Sequence, residues 1–277
     1  MIYVVVAAVV AAGCGAGPSC AIAPHPDAAA PFLWKARRGD GPIVWFYGTI
    51  HNAGADDVPE AAWRALESSR RLISELGDVE VDREATAALA RLPPGKGIDQ
   101  LLPASDWCDL RDAVRGAIKE DDLKRFRPWY AMARLTAQVA RSASPAMDVA
   151  LAKRARSRGI AVDPLESLAA QLAALADTVT ISDLQQAIHE RKTIRCELET
   201  LRATYNRGDL PAMMRLLVIA QTQRLLVERS NAWLKKIEPS FVAGGAFVAV
   251  GLGHLLGPDG IPEMLERSGY KVERIAR

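Results

Sequence analysis

Val44-Trp45-Phe46-Tyr47-Gly48-Thr49-Ile50-His51 is an apolar run that passes directly into Gly-x-x-His. Phe247-Val248-Ala249-Val250-Gly251-Leu252-Gly253-His254 repeats the design about two hundred residues later. A short apolar run bounded by turn residues reads as a buried strand, so each histidine falls at a strand's carboxyl end. Upstream, Phe32 to Ala36 and Ile43 to Gly48 read as two strands joined by the turn Arg38-Gly39-Asp40-Gly41, a hairpin. Downstream, Asp57-Val58-Pro59-Glu60 carries an N-cap residue, an early proline and a Glu three places after the cap, which predicts a helix to about Arg70. Leu72 to Leu76 then reads as a strand, and strand, helix, strand opens an α/β sheet with crossover connections.

From Ser105 to about Ser240 the pattern is helical, with capping signals at Ser182 to Gln185 and a break at Gly208-Asp209 before Pro211. One short strand interrupts it at Ile160 to Val162. The end returns to strand (Ala246 to Val250), helix (Gly260 to Arg267) and strand (Tyr270 to Ile275). The expected fold is therefore α/β: a central mixed sheet built from both chain ends, flanked by helices and enclosing a large helical insertion at about 98–240.

The amino-terminal residues differ from the rest. Ile2 to Ala12 is unbroken and apolar, too short to span a bilayer and of the length of a signal-peptide core, although Met1-Ile2-Tyr3 supplies no basic residue ahead of it. Two processing patterns follow, Ala11-Ala12-Gly13-Cys14, which resembles a lipobox, and Ala21-Ile22-Ala23. Residues 1–23 are thus expected to be a signal peptide and 24–31, rich in Pro and Ala, a tether to a single domain at 32–277. The product is expected in the periplasm or lipid-anchored to the bacterial envelope, with Cys14 the candidate point of membrane attachment. Cys20 survives processing only if Cys14 is the anchor. In an oxidising compartment a Cys108 to Cys196 disulfide is permitted; two buried thiols on helices are the other reading.

Lys and Arg total 35 against 33 Asp and Glu, a net charge of +2, which does not suit a nucleic-acid binder. Lys153, Arg154, Arg156 and Arg158 read as a solvated helix end. Gly244-Gly245 lacks the context of a dinucleotide fingerprint, and no Gly-x-Ser-x-Gly elbow suggests a serine hydrolase.

In open α/β sheets ligands bind beyond the carboxyl ends of the strands, where His51 and His254 both fall. Leu72-Ile73-Ser74-Glu75 delivers a carboxylate in the same way. Two imidazoles and a carboxylate suit a divalent transition metal such as zinc, manganese, iron or cobalt, and a bound ion makes hydroxide available near neutral pH. The metal set is then His51, Glu75 and His254, with Glu75 as ligand or general base. A lone histidine after a buried strand is more often structural, but only 4 His occur here and two occupy equivalent positions. His25 and His189 read as surface residues. Arg229 suits a substrate carboxylate or a developing oxyanion, against a solvated helix charge. Glu166, after the short strand at Ile160 to Val162, suits a general base or a partner to a histidine, against a helix-capping carboxylate.

Gly48-Thr49-Ile50-His51, the Glu75 segment, Arg127-Pro128-Trp129, Asp148 before a helix, Leu165-Glu166 with Gln171, Tyr205 to Leu210 and Val250 to Gly260 occur in an order that resembles the TraB/PrgY/GumN family, relatives of the Tiki proteases and of the erythromycin-esterase and ChaN-like proteins. The resemblance implies a metal-dependent peptidase needing both Gly-x-x-His motifs and the intervening Glu, here His51, His254 and Glu75. Ester hydrolysis is the neighbouring activity. The alternative is a non-catalytic envelope lipoprotein that binds a peptide or haem through the same histidines. The expected partner is a peptide or small-molecule substrate. Where relatives carry Glu-Arg-Asn before a Trp, this chain has Glu228-Arg229-Ser230-Asn231-Ala232-Trp233. Either Asn231 has shifted into that role or Ser230 replaces it.

Overall fold

Six strands make one sheet: β1 (Leu33–Arg37), β2 (Val44–Thr49), β3 (Arg71–Ser74), β4 (Ala161–Pro164), β5 (Ala246–Gly251) and β6 (Lys271–Arg274). Their spatial order is β4-β3-β5-β2-β1-β6. This computed structural model describes residues 20–77, 83–140, 145–217 and 220–276. Of the export segment expected at 1–23, residues 1–19, with the apolar run and the Cys14 motif, lie outside the described residues.

β4, β3, β5 and β2 run parallel, whereas β1 pairs antiparallel with β2 on one side and β6 on the other. The sheet is mixed and drawn from both chain ends, as the paired apolar runs imply. Strands covered on both faces read as continuous hydrophobic runs. Accordingly Ala246, Phe247, Val248, Ala249 and Val250 are wholly buried in β5, as are Val44, Phe46 and Tyr47 in β2. At the edge, β6 alternates exposed and half-buried residues.

Boundaries moved where side chains found other partners. The first crossover helix spans Glu60–Glu67 and starts behind Pro59, not at Asp57. Asp57 instead accepts from the Gly54 N–H across a short 3-10 turn and receives Arg202 and Asn206 at its other oxygen. Similarly, Thr180 caps the helix Ile181–Glu190 in a reciprocal box with Asp183, two residues ahead of the expected Ser182.

The helical stretch carries a core of its own. Ile98, Leu110, Leu123, Trp129, Leu135, Leu172, Leu184 and Ile188 cluster apart from the sheet. The sheet packs against the helices Met147–Ser157, Ile194–Asn206, Ala220–Ile237 and Ile261–Arg267, whose buried residues join the main core.

The disulfide joins Cys20 to Cys196. This corrects the Cys108 to Cys196 pairing and the reading of Cys196 as a buried thiol. The helix bearing Cys196, Ile194–Asn206, packs on the 3-10 turn Pro26–Ala28, which brings Cys20 alongside. Cys108 lies exposed and free on Ala104–Ala113, a helix that packs elsewhere, on Ile181–Glu190. Residues 24–31 are tied to the fold as well. The Asp27 carboxylate accepts from the Glu60 N–H, Asn206 donates to the Pro24 carbonyl, and Arg274 donates to Ala30 and Pro31.

Candidate functional site

Each of the four parallel strands delivers one titratable group just past its carboxyl end: His51 after β2, Glu75 after β3, Glu166 after β4 and His254 after β5. Because β4, β3, β5 and β2 are consecutive neighbours, the four groups form a row along one sheet edge. The two glycines that begin the motifs serve close approach. A Cβ on Gly48 would meet the Leu252 side chain and backbone, so the two Gly-x-x-His segments pack directly on one another. Gly251 donates its N–H to Glu75 Oε1 at 2.8 Å, and a Cβ there would crowd that same oxygen. Beneath the first motif, the Tyr205 hydroxyl lies 2.6 Å from the Gly48 carbonyl and 2.8 Å from the Tyr47 hydroxyl.

Glu75 is the hub. Its Oε2 accepts from Gln171 Nε2 at 2.9 Å and from Arg229 Nη2 at 3.0 Å. Burial opposes its ionisation, but the Arg229 guanidinium and the Gly251 N–H favour the carboxylate, and the carboxyl lies below its ordinary value. Arg229 is no solvated helix charge; its side chain is 16 % exposed. It forks onto Glu166 through Nε at 3.2 Å and Nη2 at 2.5 Å, and it lies over the Trp233 ring at 4.6 Å. Glu166 therefore caps no helix: Ser167 does, accepting from the Ala170 N–H.

His254 is 3 % exposed and lies tilted against the Trp233 ring, ring centroids 4.2 Å apart. Its Nδ1 lies 2.9 Å from Ser230 Oγ and its Nε2 lies 3.3 Å from Arg229 Nη1. A guanidinium has no acceptor, so Nε2 presents its lone pair and Nδ1 carries the proton toward Ser230. Ser230, not Asn231, serves the site; Asn231 is exposed and donates to the Val227 carbonyl. Burial pushes the His254 imidazole down to about 3, with Arg229 adding to the effect and Glu75 opposing it. The imidazole is neutral at pH 7.

A pH dependence of stability follows. Between about pH 6.5 and 3 the unfolded chain binds a proton at this position that the folded chain refuses. Stability present above the unfolded value is lost as the pH falls toward the folded one, at up to about 1.4 kcal/mol per pH unit. Urea unfolding of wild type and His254→Gln at pH 7 and pH 5 should show wild type losing on the order of 2 kcal/mol more than the variant. Equal losses in the two proteins would refute the assignment.

His51 is more open, its side chain 45 % exposed, with Nδ1 3.8 Å from Asp148 Oδ2. Asp148 Oδ1 accepts from Thr49 Oγ1 at 2.9 Å. Burial and the charge of Glu75 push the Asp148 carboxyl up, against the opposing pull of His51. His51 in turn lies close enough to bias the charge of both Glu75 and His254. Asp148 is the site residue that sequence reasoning passed over. It opens the helix Met147–Ser157, where an acidic residue needs no further explanation, and only its place among the family features hinted at more.

Two imidazoles and a carboxylate are donors of the kind a divalent transition ion takes, although the His254 Nε2 lone pair faces Arg229 Nη1 here. In chemistry the set fits such an ion. Among the described residues, however, no group of three or more His, Cys, Asp or Glu is already drawn together to hold one. The side chain standing between Glu75 and His254 is Arg229.

The model of the TraB/PrgY/gumN family matches residues 32–274. The chain belongs to the TraB/PrgY/gumN family. Among curated proteins it is similar to the human protein named Metalloprotease TIKI1, 23 % identical over 325 aligned positions that cover 92 % of this chain. This chain spans 64 % of the length of that relative. No solved structure matches significantly. The TraB/PrgY/gumN match covers all six strands and every site residue named above.

Proposed function

We propose that the protein is a metal-dependent hydrolase of the bacterial envelope and that its substrates are peptides. The observation that carries this reading is that His51, Glu75 and His254 follow the carboxyl ends of three neighbouring parallel strands. Family membership and the likeness to a protein named as a metalloprotease support it.

His51, Glu75 and His254 are the residues that would hold the ion, with Ser230 orienting the His254 ring and Asp148 placing a carboxylate 3.8 Å from His51. When bound, a divalent ion lowers the pKa of a coordinated water and polarises a carbonyl. The protein's own share is positional. Gly251 and Gln171 fix the Glu75 carboxylate, Ser230 fixes the His254 tautomer so that Nε2 faces the site, and Trp233 excludes water from one side of the ring. Arg229, its fork held by Glu166, turns Nη1 toward His254 and places a positive charge beside the site that suits a developing anionic oxygen.

Purified full-length chain is expected to contain about one divalent transition ion per molecule and to cleave members of a peptide library in a chelator-sensitive way. Metal bound with no turnover favours capture of a peptide. A Soret band with haem and no transition metal sinks the hydrolase reading.

We further propose that the chain is exported and anchored through a lipid on Cys14. The Cys20–Cys196 bridge supports this choice between the two processing patterns. Cleavage after Ala23 would discard Cys20, whereas cleavage ahead of Cys14 retains it, and such bridges form in oxidising compartments. Intact-mass analysis of the mature protein should find a lipid-modified Cys14 at the amino terminus. A chain beginning at Pro24 would overturn this.

A further inference from the structure

We propose a second binding site, in the helical part of the chain: a cleft of about 380 Å³ that takes an acidic peptide segment with an aromatic side chain beside its carboxylate. The cleft shares no residue with the row of groups at the sheet edge. It goes beyond the hydrolase reading and does not rest on it.

The cleft lies between the helices Arg83–Leu89 and Pro128–Ala140 and the stretch 117–126 that comes between them in sequence. Its volume is that of a small-ligand pocket, and Ala87, Ala90 and Ala117 leave that space open with their short side chains. Charge is the first observation. Arg91, Lys119 and Arg134 line the cleft against one carboxylate, Asp122, and among the described residues none of the four has an ion-pair partner. Nearby basic groups are matched: Arg115 holds Asp112, Lys124 holds Glu120 and Arg191 holds Asp109. A cleft lined mainly by one sign of charge focuses its field and draws the opposite sign.

The second observation is a fixed apolar wall. Phe126 and Tyr130, both half-buried, meet edge-on with ring centroids 4.6 Å apart. Arg91 and Phe126 form an isolated antiparallel bridge. Around it the Leu92 N–H donates to the Arg125 carbonyl at 2.7 Å, the Arg127 N–H to the Ala90 carbonyl at 2.8 Å, and Arg127 Nε to the Arg91 carbonyl at 3.1 Å. Trp129 is wholly buried and packs against the Tyr130 ring. The Arg127-Pro128-Trp129 stretch, which takes no part in the sheet-edge row, thus builds this wall.

Together these features select the ligand. The three cations call for an anion, and the aromatic pair suits a ring lying beside it. Asp122 repels a bare polyanion such as phosphate and accepts from an N–H donor. A carboxylate, N–H groups and an aromatic side chain occur together in an acidic peptide segment.

The test is a ligand-observed NMR titration of acetyl-Phe-Asp-amide against the full-length protein. Wild type and Glu75→Gln, a change at the sheet edge, should bind it with dissociation constants equal within about twofold. Arg91→Gln and Arg134→Gln should each weaken binding at least about fivefold, as loss of a charged hydrogen-bond partner does. Neither has an ion pair to lose, so thermal melts should match wild type. Ala117→Trp, which fills the cleft from an exposed position, should abolish binding. Acetyl-Phe-Asn-amide, which lacks the charge, and acetyl-Ala-Asp-amide, which lacks the ring, should both bind more weakly than the parent peptide.

No saturable binding to wild type overturns the proposal, as does binding that the three cleft variants leave unchanged. Loss of binding in Glu75→Gln places the peptide at the sheet edge, which overturns the second site and leaves the hydrolase reading standing. Displacement of the peptide by an equal concentration of inorganic phosphate overturns the peptide ligand in favour of a simple anion site. Should an arginine variant not fold, Ala117→Trp and the two altered peptides decide the matter alone.

Discussion

Reduction of the Cys20–Cys196 bridge, or Cys20→Ser, is expected to lower the unfolding free energy by up to about 5 kcal/mol, the loop-closure value for a bridge of this span. The two cysteines are 176 residues apart, so the bridge restricts most of the unfolded chain. Against the roughly 5–15 kcal/mol that stabilises an ordinary domain, the loss is large. It should also be felt locally. The bridge fastens residues 20–31 to the helix Ile194–Asn206, and that helix places Tyr205 beneath the Gly48 carbonyl. Urea unfolding with and without reductant measures the effect, and a midpoint unmoved by reductant would refute it. Cys108→Ser, on an exposed position outside the bridge, should leave the midpoint in place.

Glu75→Gln is expected to reduce hydrolysis by about 10²–10⁴-fold while the protein stays folded. The amide keeps the size of the carboxylate, and Arg229 retains Glu166 as its partner, so no buried cation is left alone. What disappears is the negative charge that the Gly251 N–H, Gln171 and Arg229 converge on. Activity on a cleaved peptide, metal content and a thermal melt, taken together, separate this outcome from unfolding. Retention of more than about a tenth of the activity would remove Glu75 from the chemistry.

The strands and the row of groups at their carboxyl ends were legible because both rest on local pattern. An apolar run of five or six residues followed by glycine reads as a buried strand wherever it lies, and His51, Glu75 and His254 inherit their places from the strands before them. Glu166 was placed at that edge by the same argument. What could not be read was which side chain meets which. Arg229 looks like any basic residue on a polar helix until Glu166 and Glu75 arrive from strands about sixty and one hundred and fifty residues earlier. Asp148 was hidden by its suitability as an ordinary helix-opening residue. The cysteine pairing depended on the docking of residues 20–31, a stretch whose proline and alanine content shows no periodicity, so nothing local announced its contacts with Asn206, Glu60 and Arg274.

The parallel pairing of β2 with β5 joins Val44 to Ala246, which the ribosome adds about two hundred residues later. Contacts of such sequence separation form late, after the local helices between them. A folding chain can thus complete much of its helical middle while only the first of the two motif histidines has a strand to hold it. Any chemistry that needs both motifs is silent until the second has been added, and a chain interrupted before Ala246 has neither the central strand nor the second imidazole. Latency during manufacture is thereby a property of the chain order itself and requires no inhibitory segment.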